Sequence, residues 1–224
     1  MAPANRPCSL VPLVFLLVVL RNCCCRVSLR LTEMCLQTAR CGSVTLRGES
    51  VEAMSPRERA GSMALVTSTP PRHAGITVKE TLLLGLRAGG RSHRADVADA
   101  DVVEADMQQA GISDWANRRL DALSDVMAQG VMVARAAIQS RQVLVLDEPT
   151  AFLDVIGKED VLLQLNRLRA EGRTVILSTH DLAAVAATGE VSHWLHLHPG
   201  KGKGSTLHEG GFDAEVVRSA LRET

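Results

Sequence analysis

The chain has 224 residues, enough for one domain of ordinary size, alone or with a small appended lobe, around a real hydrophobic core. Its 25 basic residues balance its 25 acidic ones, so net charge offers no argument for a nucleic-acid partner. The mix of 46% apolar and 22% charged residues is that of a soluble globular protein.

Residues 1–41 differ from the rest. All six cysteines (Cys8, Cys23, Cys24, Cys25, Cys35 and Cys41) precede Gly42, and the first acidic residue is Glu33. The chain is apolar from Leu10 to Leu20, after Arg6. That run is short for a membrane span, which takes about 20 apolar residues. A secretory signal would need a small-residue cleavage site, and none follows. Residues 1–41 therefore read as an atypical N-terminal segment, of the kind a frameshift or a misplaced start would produce. A signal and an ordinary hydrophobic strand are the other two readings. Three adjacent thiols cannot all reach one metal from a strand or helix, so the cysteines read as incidental small residues.

From Gly42 the pattern is orderly. Val44, Leu46 and Val51 mark a short strand pair turning at Arg47-Gly48. Ser55 before Pro56 is an N-cap followed by proline at the first helical position. "MALVTST" is a strand stopped by Pro70 and Pro71. Thr77 caps a helix with Val78, Leu82 and Leu86 on its apolar face. The next helix, "DVVEADMQQAGI", is expected to turn Val102, Ala105 and Met107 inward and to stop at Gly111. Ser124 starts another, with a stripe through Met127, Val131, Ala134 and Ile138. "QVLVLDE" and "RTVILSTHD" are strands too apolar to be half exposed, so both suit a parallel sheet covered on two faces. The amphipathic helix "KEDVLLQLNRLRAEG" connects them and closes at Gly172. Strand, helix and strand in this order predict a right-handed crossover and a parallel α/β sheet.

In such sheets ligands gather at the carboxyl ends of the strands. One strand here ends in Asp147-Glu148 and the other in Ser178-Thr179-His180-Asp181. A carboxylate at that edge suits a magnesium ion that holds nucleotide phosphates, since magnesium takes hard oxygen ligands. A second carboxylate beside it can polarise an attacking water. His180 on the adjacent strand can donate a hydrogen bond to the same phosphate.

With "LSD" followed by the "VMVARA" helix, "VLVLDEPTAFLD" and "ILSTHDL", in that order, the chain resembles the ATP-binding subunit of ABC transporters from about Gly42 to Ala187. The wording is most similar to subunits that import ferric siderophores, haem or cobalamin. The resemblance implies an α/β fold: a parallel-sheet P-loop NTPase core in 42–224 with a helical subdomain at about 77–140, its N-terminal part incomplete. It implies ATP and Mg2+ as cofactors, with Asp147 at the magnesium shell, Glu148 as catalytic base and His180 as the switch histidine. It further implies that Ser124, Gln129, Asp154 and Ser68 serve nucleotide binding. Ser124 would contact the γ-phosphate held by a second copy, Asp154 would cross to that copy, and Ser68 stands where the family usually carries glutamine. The partners it implies are membrane permease subunits and a second ATP-binding subunit in a homodimer. The place is the cytoplasmic face of the membrane.

Three departures qualify this reading. Val126 and Met127 stand where the family's signature has glycine and usually an acidic residue. A valine there is expected to fill space that glycine leaves for phosphate. Ser68 in place of glutamine alters the link to the permease, as in some iron-uptake relatives. No G-x-x-x-x-G-K-[ST] phosphate loop occurs around residues 5–20, and "GKGKGST" at 200–206 has the wrong spacing and position and reads as a solvated turn. The expected function is thus ATP binding and hydrolysis in a metal-chelate importer. A non-catalytic relative with little or no ATPase activity is the alternative.

Overall fold

The computed structural model describes residues 14–15, 45–46, 48–71, 75–90, 97–140, 142–179, 181, 193–196 and 206–209. In chain order its strands are β1 Val14–Phe15, β2 Thr45–Leu46, β3 Glu49–Ser50, β4 Met63–Val66, β5 Val143–Asp147, β6 Thr174–Ser178, β7 His193–His196 and β8 Thr206–Glu209. The helices are α1 Pro56–Ser62, α2 Val78–Ala88, α3 Val97–Ala110, α4 Asp125–Gln139 and α5 Val155–Ala170.

Among the described residues one sheet has six strands in the order β4-β5-β6-β1-β7-β8, parallel except for β8. The two strands expected to be central neighbours, β5 and β6, do pair in parallel, with Val145 opposite Ile176. Both faces of these strands are covered. Ala64, Val66, Leu144, Leu146, Val175 and Leu177 join the main core, while Met63, Val143, Val145 and the partly buried Ile176 form a second cluster with Val51. This two-sided burial is why β5 and β6 read as continuous apolar runs. β2 and β3 form the antiparallel pair around Gly48, whose φ of +84° suits a residue without Cβ. The atypical N-terminal segment supplies β1, which lies between β6 and β7 with Val14 opposite Ile176 and His193. The rest of residues 1–41, and residues 200–205 of the "GKGKGST" stretch, lie outside the described residues.

The helix starts follow their caps. Ser55 and Glu58 exchange bonds in a capping box at α1, and Thr77 and Glu80 do so at α2. α2 buries Val78, Leu82 and Leu86 as its spacing predicts. In α3 the inward stripe is Asp99, Val103 and Met107, whereas Val102 is half-buried and Ala105 exposed. Val102 still packs against the core, so the expectation is corrected for Ala105 alone. Residues four apart share a helical face, and position 105 lies two steps from both 103 and 107, on the far side. Gly111, at φ +70°, follows α3 as expected. No described helix is long and apolar enough to cross a membrane.

α4 is buried nearly all round, from Ala128 to Ile138, and polar ties fix it to both ends of β4. Gln129 Nε2 donates to the Thr67 carbonyl at 3.3 Å, just past the end of β4. Gln139 Nε2 donates to Ala60 O at 3.1 Å and Ser140 Oγ to Ser62 O at 2.7 Å, just before its start. α2 crosses α4 closely enough that a Cβ on Gly89 would lie 2.2 Å from the Gln139 carbonyl oxygen. Backbone cannot retreat as a flexible side chain can. Gly89→Ala should therefore cost about 2–3 kcal/mol, read as a lower urea midpoint with an unchanged slope.

Candidate active site

The register of β5 and β6 sets Asp147 directly opposite Ser178 at the carboxyl edge of the sheet. Ser178 Oγ, buried, donates to Asp147 Oδ1 at 2.6 Å. The next residue, Glu148, donates its backbone N–H to Ser178 at both the carbonyl oxygen (3.0 Å) and Oγ (3.1 Å). One serine thus holds both acidic residues. Glu148 sits at φ +49°, in the left-handed region, where an L-residue is strained by about 1–2 kcal/mol. The chain then turns sharply. Ala151 N–H donates to the Glu148 carbonyl, and Phe152 is also left-handed at φ +65° and largely exposed.

Asp154 ends the turn as the N-cap of α5, its Oδ1 accepting from Gly157 N–H at 2.8 Å. On the other side of the turn region, Ser124 caps α4 by accepting from Met127 N–H at 3.3 Å, and its side chain is exposed. Val126 stands two residues after Ser124, at the start of α4. Its γ-carbons lie against buried Gly157, 2.6 and 3.0 Å from the position that a Cβ would take there.

The sequence-derived residues fall into two groups. Asp147 and Glu148 share the strand edge, and half-buried Ser68 follows β4 at the same edge because Val66 pairs with Leu146. Ser124 and Asp154 occupy neighbouring helix starts. Gln129 is 1% exposed and holds the Thr67 carbonyl, while its buried Oε1 finds no partner among the described residues. His180 lies outside the described residues, so its approach to Glu148 does too. Beyond it Asp181 accepts from Lys158 Nζ at 2.5 Å, which ties the end of β6 to α5. Sequence reasoning placed Ser178 among the strand-end polar groups but missed its hold on both carboxylate residues. The signal was the register itself, since a hydroxyl paired with an acid at the ends of adjacent parallel strands must meet it.

Among the described residues no three His, Cys, Asp or Glu side chains cluster as a protein-only metal cage. Magnesium does not need one. It binds through one or two carboxylates, several waters and the substrate's phosphates. Asp147, with one oxygen on Ser178 and a second beside it, fits that requirement, and Glu148 adds a second carboxylate at the same edge.

A strand-edge carboxylate pair in a parallel α/β sheet is an arrangement that nucleotide-binding domains use. A solved chain described as "Structure of ATP binding subunit of ABC transporter" shares this fold, at a TM-score of 0.71 and 20% identity, covering 94% of this chain and 82% of that one. The family model described as ABC transporter matches residues 29–151. The chain is 31% identical over 192 residues to the iron(3+)-hydroxamate import ATP-binding protein FhuC of Bacillus subtilis (strain 168), covering 84% of this chain and 69% of that protein. It is 30% identical over 216 residues to the ferric enterobactin transport ATP-binding protein FepC of Escherichia coli (strain K12), covering 93% and 75%. It is 34% identical over 151 residues to the hemin import ATP-binding protein HmuV of Nocardia farcinica (strain IFM 10152), covering 67% and 52%. The chain belongs to the ABC transporter family.

Ser178 and Glu148 make opposite predictions for stability. Ser178→Ala should lose about 1–2 kcal/mol, because a buried hydroxyl that satisfies an acid and an amide is removed. Glu148→Gly should gain about 0.5–1 kcal/mol, since glycine adopts φ +49° without strain and loses only part of that gain to chain entropy. Chemical denaturation of the three proteins side by side checks both signs.

Proposed function

We propose that this chain is the ATP-binding subunit of an importer for an iron chelate or a similar metal complex. The observation that carries the reading is the Asp147-Glu148 pair, held by Ser178 at the end of β5, in a family whose similar members include FhuC, FepC and HmuV. In this role Asp147, oriented by Ser178, would hold magnesium. Glu148 accepts a proton from the attacking water, and its strained backbone keeps the carboxylate aimed off the strand end. His180 follows β6 by two residues and donates toward the terminal phosphate. Bound Mg2+–ATP would supply the phosphoryl group on which these residues act.

Ser124 and Asp154 serve a second copy of the chain in a homodimer. The exposed apolar side chains Phe152, Val155 and Ile156 flank Asp154 and favour a protein partner there. Ser68, at the magnesium edge, serves the link to membrane permease subunits, and Gln129 holds its segment from behind. The chain works as a peripheral subunit on the cytoplasmic face of the membrane and needs no nucleic acid.

The sequence around residues 5–20 lacks G-x-x-x-x-G-K-[ST], and that motif supplies most of the hold on phosphate. Positioning dominates the rate of phosphoryl transfer, and the loss of one electrostatic contact costs about 10²–10³ in rate. The purified chain should therefore hydrolyse ATP no faster than its Glu148→Gln variant. Robust turnover that this substitution abolishes would overturn that expectation. Nucleotide binding is the separate test of the proposed role. Magnesium-dependent ATP binding, measured by calorimetry, should weaken about tenfold or more in Asp147→Asn. A chain that binds ATP equally with and without magnesium, and is indifferent to Asp147→Asn, would favour the non-catalytic relative instead.

A further inference from the structure

We infer that Val126 and Gly157 form a matched pair that sets the spacing between the two helix starts carrying Ser124 and Asp154. Val126 is the second residue of α4, after Asp125, and Gly157 is the third of α5. Both γ-carbons of Val126 point at the bare Cα of Gly157. A Cβ there would lie 2.6 Å from Val126 Cγ2, 3.0 Å from Cγ1 and 2.9 Å from Asp154 Oδ1. Atoms do not approach that closely, so position 157 holds its present place only as glycine.

Valine cannot easily yield, because two γ-carbons on Cβ leave it one strongly preferred rotamer in a helix. The cap cannot yield freely either. Asp154 Oδ1 accepts from Gly157 N–H at 2.8 Å, so pushing the carboxylate aside would break the N-cap of α5. Val126 thus rests on the same three-residue segment that Asp154 organises, within the first turn of the helix that Ser124 caps. The contrast with Gly130, one turn further along α4, is informative. A Cβ at Gly130 would meet nothing within 4 Å, because that position opens on a cavity of about 270 Å3 between α3, α4 and α5. The glycine on α5 is occupied by a partner side chain, and the glycine on α4 is not.

Valine therefore acts as a spacer. It replaces backbone-to-backbone proximity with a side chain seated on the neighbouring helix, and fixes how far apart the caps of α4 and α5 stand. Its value for the partner copy rests on the role proposed above for Ser124 and Asp154, whereas the pairing itself does not.

The test is a double-mutant cycle on the full chain without nucleotide, so its outcome is independent of ATP binding. In an unhindered helix, glycine to alanine is favourable and would raise Tm by about 2–4 °C. Gly130→Ala should behave that way. Gly157→Ala should instead lower Tm by about 3–8 °C, and Val126→Ala added to it should recover most of the loss. Hydrogen exchange gives the local readout. In Gly157→Ala, protection should fall at the two capped amides, those of Met127 and position 157, and return at both in the double variant. The inference is overturned if Gly157→Ala raises Tm as Gly130→Ala does. It is equally overturned if Val126→Ala fails to rescue, or if the Met127 amide keeps its protection in the single variant.

Discussion

The register between β5 and β6 is the constraint on which the site depends. A slip of one residue would turn every side chain of one strand to the opposite face of the sheet. A slip of β5 would exchange Leu144 and Leu146 of the main core with Val143 and Val145 of the second cluster, and neither set would fit the other's packing. Burial on both faces makes such a slip expensive twice over, so the pairing of Asp147 with Ser178 is fixed by apolar residues that take no part in the chemistry. The polar bonds then finish what the register begins. Ser178 aligns the Asp147 carboxylate and captures the Glu148 amide, and that capture holds Glu148 in a left-handed conformation. Strain concentrated in one residue at a strand end is the usual mark of a site whose geometry is over-determined by its surroundings.

The second constraint is α4. Its ties to Ala60, Ser62 and Thr67 make it move with β4, so the helix that begins at Ser124 is referenced to the sheet at both of its ends. Its start is also referenced to α5 through Val126 on Gly157. Two helix caps thereby inherit their positions from the same sheet, one through Gln129 and one through the short turn after Glu148. Val126 meets a glycine thirty-one positions later in the chain, where no local pattern would connect them.

That difference marks what can be read from sequence. Local rules worked: N-caps at Ser55 and Thr77, apolar stripes on α2, and uninterrupted apolar runs in β5 and β6 were legible because each arises from residues within one element. The carboxylates at the strand edge were legible for the same reason. The inward face of α3 was misread at Ala105, since several small apolar residues offered competing stripes and only Val103 and Met107 bring enough area to win. Contacts between elements were not legible. The double grip of Ser178, the burial of Gln129 and the seat of Val126 depend on how elements meet, and the burial of a polar residue with one orphan oxygen has no periodic signature.

The acidic edge of the site is held by segments that follow residue 41 in the chain. The bonds from Ser178 that position Asp147 and Glu148 come from β6, and the covering residues named above lie between Val51 and Leu177. β1 adds to this arrangement by pairing with β6 through Ile176 and Leu177, one residue short of Ser178, and being parallel it ends at the same edge. The fold thus asks of β1 only extended, apolar backbone, which Val14 and Phe15 provide in a stretch where the family's phosphate motif has no counterpart. Sheet pairing tolerates such replacement because it reads backbone and burial. Phosphate binding does not tolerate it, because it reads specific N–H groups and one cation.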